Sequence, residues 1–314
     1  MYRETRVHVV IPAYNVADRI AAVLKAVPDF VDAIRVVDDG SRDGTADAAL
    51  AVADPRVRVV RHATNQGVGA AMVSGFRDAL MDGDDGIVVK MDGDGQMDPA
   101  ILPRLLDPIV DGRCGYAKGN RFLFARELAV MPRHRLVGNF VLTFLTKLAS
   151  GYWHVFDPQN GYLAIAAPVL RLLDFDRISR RWFFENDMLI NLNVFNVPVA
   201  DVPMPSRYGD ERSSMSIGRV LVSFPYHLFR GYWSRFYRKY VLRDFSPIAL
   251  FMLTGLPLVV FGILLGGYTW FQSWRLNRFA STGTVMLSVL PFIVGFQLVL
   301  QALVLEMRDS PGPR

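Results

Sequence analysis

Asp92, Asp94 and Gln96 alternate in the run Met91-Asp92-Gly93-Asp94-Gly95-Gln96. In extended chain residues i and i+2 face one side, so both carboxylates can meet one cation, with the Gln96 amide oxygen continuing the spacing. Such an all-oxygen set suits Mg²⁺ or Mn²⁺, which bind through one or two carboxylates plus substrate phosphates. Three further polar clusters stand out: Pro12-Ala13-Tyr14-Asn15, Asp38-Asp39-Gly40-Ser41 and Asn65-Gln66-Gly67-Val68-Gly69. Singly each reads as a turn, because Asp, Asn and Gly are ordinary turn formers. Together the clusters are rich in carboxylates and poor in cations. A nucleotide diphosphate can bind there if a divalent cation bridges it to the carboxylates. The chain has no Gly-x-x-x-x-Gly-Lys-Ser/Thr phosphate loop and no Gly-x-Gly-x-x-Gly at its first turn, which disfavours P-loop and dinucleotide-binding chemistry.

These clusters need a frame that gathers them. Val7–Ile11, Ile34–Val37, Val57–Val60 and Gly86–Lys90 are short apolar runs, each followed by one of the clusters. Helical patterns over Asp18–Val27, on to Ala53, and on to about Met81 separate them. Strands alternating with helices predict βαβ units and a mostly parallel sheet. In such α/β sheets ligands bind beyond the carboxyl ends of the strands, where all four clusters fall.

The 314 residues are 51% hydrophobic and 21% charged, with mean hydropathy +0.22. That excludes a disordered chain, and the single cysteine, Cys114, excludes an internal disulfide framework. Phe245–Trp274 and Phe279–Leu305, 30 and 27 residues, contain no Asp, Glu, Lys or Arg. Each is long enough to cross a bilayer, and Pro257 and Pro291 are tolerated in such helices. The net charge of +5 has a place: Arg219, Arg230, Arg235, Arg238, Lys239 and Arg243 precede the first apolar run with no acid among them. Aromatic residues from Phe224 to Tyr240 interleave these cations, as in a helix lying in the headgroup layer. Nucleic acid is therefore not the expected partner; the membrane is. Arg275 and Arg278 between the apolar runs are a mild contrary signal, yet the larger excess sets both ends in the cytoplasm. Met1–Arg6 is polar and carries no signal-peptide pattern. The expected organisation is a catalytic α/β domain at 1–216, a basic aromatic juxtamembrane segment at 217–244, two transmembrane helices at 245–306 and a tail at 307–314. The expected location is the inner (cytoplasmic) membrane, multi-pass, with the catalytic domain facing the cytoplasm.

At VVIPAYN (Val9–Asn15), VVDDGSRDGT (Val36–Thr45), NQGVGAA (Asn65–Ala71) and MDGDGQMDP (Met91–Pro99) the sequence resembles the family 2 glycosyltransferases of GT-A fold. KGNRF (Lys118–Phe122), a helix from about Arg133, DPQNGY (Asp157–Tyr162) and the two C-terminal apolar runs resemble the polyprenyl-phosphate branch, which includes dolichol-phosphate mannose synthase. Three positions depart from that branch: Val16 stands where Glu is frequent, Asn160-Gly161-Tyr162 replaces a serine-glycine-aromatic motif, and Arg212-Ser213-Ser214-Met215 lacks a lysine. The resemblance implies transfer of one sugar, with inversion, from a nucleotide-diphosphate sugar to a polyprenyl phosphate such as undecaprenyl or dolichyl phosphate. It also implies self-association as a homo-oligomer.

The resemblance places Pro12, Tyr14, Asn15, Asp38, Asp39, Gly67 and Asp92 at the nucleotide, and Asp92, Asp94 and Gln96 at Mg²⁺ or Mn²⁺. A lipid phosphate has a second pKa near ~6 and is already nucleophilic at neutral pH, so cations matter more than a base. Arg121 is the first candidate for the acceptor phosphate, with Arg133, Arg135, Arg207 and Arg212 behind it. Leu136, Phe140, Phe144 and Leu148 form an apolar face at helical spacing, facing either lipid or core. Asp157 is expected to position an arginine or the sugar, or to act as base if the acceptor is a hydroxyl. Asp94, Arg121 and Asp157 are thus the catalytic candidates. Glu185 and Asp187 fall where the family places an acid near the sugar, and the histidines show no metal-ligand spacing. Rival readings are transfer to a saccharide hydroxyl of a lipid-linked glycan, a processive polysaccharide synthase, and a non-catalytic membrane protein that binds nucleotide sugar. The synthase motif Gln-x-x-Arg-Trp is broken here by Ile178 before Arg181-Trp182.

Overall fold

The computed structural model describes residues 1–121, 133–205 and 217–313. The strands are β1 (Val7–Ala13), β2 (Ala33–Asp38), β3 (Val57–Arg61), β4 (Ile87–Lys90), β5 (Tyr116–Asn120), β6 (Leu163–Ala166) and β7 (Val199–Pro203). Helices α1 (Ile20–Ala26), α2 (Thr45–Leu50), α3 (Val68–Leu80), α4 (Leu102–Val110), α5 (Arg133–Ser150), α6 (Ala167–Leu170) and α7 (Phe184–Val194) accompany these strands, and α8 (Ile217–Phe236) follows β7 in the chain. Among the described residues the strands form one sheet in the order β3-β2-β1-β4-β6-β5-β7. β6 runs antiparallel to both its neighbours, and the remaining pairs are parallel.

β1 and β4 are buried on both faces, which is why they read as continuous apolar runs. Val9, Ile11 and Val89 pack on one side with Leu24, Leu102 and Leu105. Val10, Val88 and Ile165 pack on the other with Met72, Phe76, Phe184 and Met188. The strand order reverses between β1 and β4, and parallel strands splay their carboxyl ends at such a point into a ligand crevice. Lys90 on β4 and Lys118 on β5 both pair with Leu163 of β6, and Lys118 pairs in turn with Asp201 of β7. Residues directly paired across strands share a face, so a row of two lysines and a carboxylate runs across this half of the sheet.

The chain divides into two compact units, Met1–Tyr232 with Pro311–Arg314, and Trp233–Ser310. The second unit contains α9 (Pro247–Leu276) and α10 (Thr282–Arg308), both long and apolar enough to cross a membrane. Ser246 and Ser281 cap them by accepting from the Ala249 and Thr284 amides. The helices touch through small residues: a Cβ on Gly255 would lie 2.8 Å from the Gly295 carbonyl oxygen, and one on Gly295 would lie 2.6 Å from the Gly255 oxygen. Close backbone approach of this kind drives helix packing where no hydrophobic effect is available. Much of both helices is exposed apolar surface, including Leu253, Phe261, Leu264, Val294 and Phe296. In the same unit Arg235 and Glu306 form a fully buried ion pair, and Lys239 reaches Asp309 at 3.0 Å.

Candidate functional site

A cavity of about 620 Å³ opens at the carboxyl ends of β1 and β4, lined among others by Pro12, Tyr14, Asn15, Asp39, Gly67, Asp92 and Asp94. The sequence motifs mostly build its frame. Ser41 Oγ accepts from the Asn15 amide at 3.0 Å, Thr45 Oγ1 from Val16 at 2.9 Å and Asp43 Oδ2 from Ala17 at 3.0 Å. Asn15 has φ +53°, and its side chain accepts from the Arg42 amide at 2.9 Å. The DDGSRDGT segment thus clamps the loop that presents Tyr14, a residue 47% exposed. Asp38 does not line the cavity: its carboxylate turns back to accept from the Ser41 amide at 2.9 Å.

Asp39 organises the opposite lip. It accepts from the Gln66 amide at 2.9 Å and the Gly67 amide at 2.8 Å. His62 meets it at 2.7 Å through Nδ1 and meets Ser74 Oγ at 2.9 Å through Nε2. His62 had no signal in the sequence, because its partners lie on other elements. Gly67 has φ +101°, and a Cβ there would also strike the Arg180 carbonyl oxygen at 2.6 Å, so only glycine fits.

At the floor, Lys90 is fully buried and donates to Asp92 Oδ1 at 2.7 Å, with Glu185 Oε1 of α7 at 3.4 Å. A Cβ on Gly161 would lie 2.3 Å from Lys90 Nζ and 3.2 Å from Asp92 Oδ2. The glycine of DPQNGY therefore leaves room for this ammonium. Asp94 Oδ1 accepts from the Gln96 amide at 3.0 Å. Burial raises the Asp94 carboxyl above its ordinary value, against the Gln96 N–H that lowers it, and the charge on Asp92 raises it further. Each aspartate keeps one oxygen that takes part in none of these bonds. Two adjacent carboxylates with an oxygen each outside these bonds, one of them also held by the Lys90 ammonium, can offer a hard divalent cation its oxygen ligands. Gln96 is exposed and lies outside the cavity lining, where its amide N–H serves Asp94. Glu185, Gln159, Arg181 and the half-exposed Trp182 also line the cavity, whereas Asp187 does not. Asp187 accepts instead from the Ser179 amide at 2.8 Å.

Arg121 and Asp157 lie outside the lining of this cavity. The guanidinium grips the buried carboxylate with two bonds, Nε to Oδ2 at 2.8 Å and Nη2 to Oδ1 at 3.1 Å. Asp157 is thus ion-paired with Arg121. Arg133 and Arg135 open α5, but their side chains lie outside the described residues, as do Arg207 and Arg212. Phe140 and Phe144 of the same helix are exposed.

A second acidic group, His8, Asp82 and Asp84, sits at the amino end of the sheet. Arg35 already fills it, donating to His8 Nδ1 at 3.0 Å and pairing with Asp82, while His8 Nε2 meets Asp84 at 3.0 Å. Since arginine only donates, Nδ1 must be the acceptor and Nε2 the donor. The cluster is a compensated ion-pair network.

Residues 8–172, more than half of the chain, match the model of glycosyl transferase family 2. The chain belongs to that family. It is 30% identical over 234 residues to the UDP-N-acetylglucosamine–dolichyl-phosphate N-acetylglucosaminyltransferase of Methanococcus voltae, covering 69% of this chain and 92% of that protein. It is 32% identical to the undecaprenyl-phosphate mannosyltransferase of Micrococcus luteus, covering 63% of this chain and 82% of that protein. The polyprenol monophosphomannose synthase of Mycolicibacterium smegmatis is 33% identical, with 63% and 76% covered. Among solved structures, glucosyl-3-phosphoglycerate synthase from Mycobacterium tuberculosis, in complex with Mn²⁺, UDP-glucose and phosphoglyceric acid, aligns with TM-score 0.54 at 22% identity, covering 74% of this chain and 80% of that one. The fold of this family 2 glycosyltransferase is accordingly GT-A-like, with two C-terminal candidate membrane spans.

Proposed function

We propose that this glycosyltransferase moves a single sugar from a nucleotide-diphosphate sugar to a polyprenyl phosphate at the cytoplasmic face of the inner membrane, inverting the anomeric centre and requiring Mg²⁺ or Mn²⁺. The observation that carries the reading is the Asp92–Asp94 carboxylate pair in a cavity whose lining leaves out Arg121, the candidate acceptor cation held by Asp157. Five carboxylates line that cavity (Asp18, Asp39, Asp92, Asp94 and Glu185) against three cations (Arg19, Lys90 and Arg181). Relatives named for dolichyl, undecaprenyl and polyprenol phosphate support the acceptor class.

Pro12 and the exposed Tyr14 ring offer the nucleoside an apolar wall, and Asp39 holds the opposite lip at Gln66 and Gly67. Asp92 and Asp94 would hold the divalent cation, with Gln96 supporting Asp94. A cation bound there supplies Lewis-acid stabilisation of the charge on the departing nucleotide diphosphate. Lys90 fixes Asp92 and ties it to Glu185, which leaves Glu185 and Gln159 at the sugar end of the cavity. The lipid phosphate attacks as an anion, so no side chain has to remove a proton. Arg121 orients that phosphate and offsets its repulsion from the donor. Arg133, Arg135, Arg207 and Arg212 are the further candidates for this task, and α8 with Phe140 and Phe144 of α5 meets the headgroup layer.

Transfer to a saccharide hydroxyl would need a general base. Both oxygens of Asp157 are engaged by Arg121, and Glu185 faces the Lys90 ammonium, so neither is placed as one. The test is transfer by membranes holding the full chain, with a panel of nucleotide sugars, polyprenyl phosphate, and EDTA or added Mn²⁺. The reading expects product on the lipid phosphate that disappears with EDTA. Metal-independent transfer would remove the role given to Asp92 and Asp94, and product only on a saccharide lipid would remove the acceptor assignment.

A further inference from the structure

Lys118 is buried beneath the acceptor end of the sheet, and its Nζ has no hydrogen-bond partner among the described residues. It stands in register with Asp201 of β7. Asp201 accepts from the Asn120 side chain and from the Phe156 amide at 3.2 Å, which ties the segment before Asp157 to β7. The ammonium is therefore within electrostatic reach of Asp157, Asp201 and Glu185 without pairing with any of them. We propose that Lys118 is the standby counter-ion of Asp157, which allows Arg121 to leave that carboxylate and take up the acceptor phosphate. The inference rests on the acceptor role given to Arg121 above.

The physical need is plain. Arg121 holds Asp157 bidentately, and Asp157 is almost wholly buried. Stripping a buried carboxylate of the cation paired with it is costly. A second cation already in place, committed to no hydrogen bond, lowers that cost. The charged groups facing Lys118 are Asp157, Asp201 and Glu185, which favour its ammonium, and Arg121, which opposes it. Departure of Arg121 toward a phosphate removes the opposing charge, so Lys118 pairs better with Asp157 as exchange proceeds. Burial brings the Lys118 amine down to about 8 despite those acids. It is charged below that value and neutral above it, so the standby charge is lost as pH rises through about 8.

Lys118 acts through Arg121 and Asp157 and is a positioning residue. The test measures affinity of the detergent-purified full chain for a short-chain polyprenyl phosphate and for the nucleotide-sugar donor. Lys118→Met should weaken lipid-phosphate binding about tenfold, a coupling of the size seen for charges in one network. Donor affinity and Tm should hold, since a methionine fills the same buried slot. In an Asp157→Asn background the same change should have no effect on lipid affinity, because the carboxylate that Arg121 must leave is gone, while Asp201 and Glu185 make no exchange with Arg121. The native affinity should fall above pH 8, and that of Lys118→Met should stay flat. Lys118→Gln provides the same reading should the methionine fail to fold. Unchanged lipid affinity, or an equal loss in the Asp157→Asn background, overturns the proposal. Arg121→Gln separates the two readings: if it leaves lipid affinity intact, the acceptor assignment itself fails.

Discussion

Lys90 changes what the Asp-x-Asp motif means in this chain. The motif was legible as an oxygen-donor set, but its floor was not, because a lysine closing an apolar strand reads as a strand end. Only the fold brings its ammonium between Asp92 and Glu185, under Gly161. Gly161→Ala should therefore displace Lys90 or Asp92 and weaken Mn²⁺-dependent donor binding about tenfold, a typical loss when support behind a metal ligand is disturbed. Calorimetry with donor and Mn²⁺ checks this, and unchanged affinity would count against the Lys90–Asp92 arrangement. Asp94→Asn should reduce transfer by about 10²-fold or more, as expected when metal-borne charge stabilisation is lost. Donor turnover in membranes with saturating Mn²⁺ reads it out. Asp39 was legible as a candidate for the nucleoside, yet much of its hydrogen-bonding capacity serves the loop at Gln66 and Gly67. Its partner His62 could not be found by spacing, since no local pattern links them.

The first four strands were legible because each is an apolar run stopped by a turn cluster. The next three were not. β5 carries Lys118, Gly119 and Asn120, all buried, so its strand character comes from pairing with β6 and β7 and not from hydrophobic pattern. β6 has four residues, and β7 contains Asp201. Polar residues inside strands are tolerated where they reach partners on neighbouring elements, as Asn120 reaches Asp201, and Lys118 instead stays without a hydrogen bond beside the proposed acceptor side. Helix α7 was legible over Phe183–Leu192, but which of its acids faces the cavity was not. Glu185 does, whereas Asp187 serves the Ser179 amide. Burial raises the Asp187 carboxyl to about 6, against the Ser179 N–H and the Arg230 charge that lower it. A carboxyl raised in the folded state holds its proton better than in the unfolded chain. Stability is therefore lost as pH rises from about 4 through about 6. Asp187→Asn should raise stability at pH 8 by about 3 kcal/mol at most and change little at pH 4. Thermal unfolding at the two pH values decides it, and destabilisation at both would contradict the account.

At the scale of the whole chain, two units account for the mixed composition: an α/β transferase and a helical pair rich in exposed apolar surface. The apolar runs were legible to within a few residues, because absence of charge over such lengths is a strong signal. Their packing through Gly255 and Gly295 was not, since it depends on the register between helices. If both ends lie in the cytoplasm, the turn between α9 and α10 lies outside. The sole cysteine, Cys114, is buried, so an Arg278→Cys variant carries one exposed thiol. A membrane-impermeant maleimide should label it in intact cells, and labelling only after lysis would reverse the orientation. The central claim is that a lipid monophosphate is the acceptor and that its own charge makes it the nucleophile. The most direct measurement is the mass of the lipid product formed by the purified full chain from labelled nucleotide sugar, polyprenyl phosphate and Mn²⁺. The account predicts one sugar joined to the polyprenyl phosphate through its phosphate oxygen, formed by the native chain and lost in Arg121→Gln. A product bearing the sugar on a glycan hydroxyl, or transfer that persists undiminished in Arg121→Gln, would contradict it.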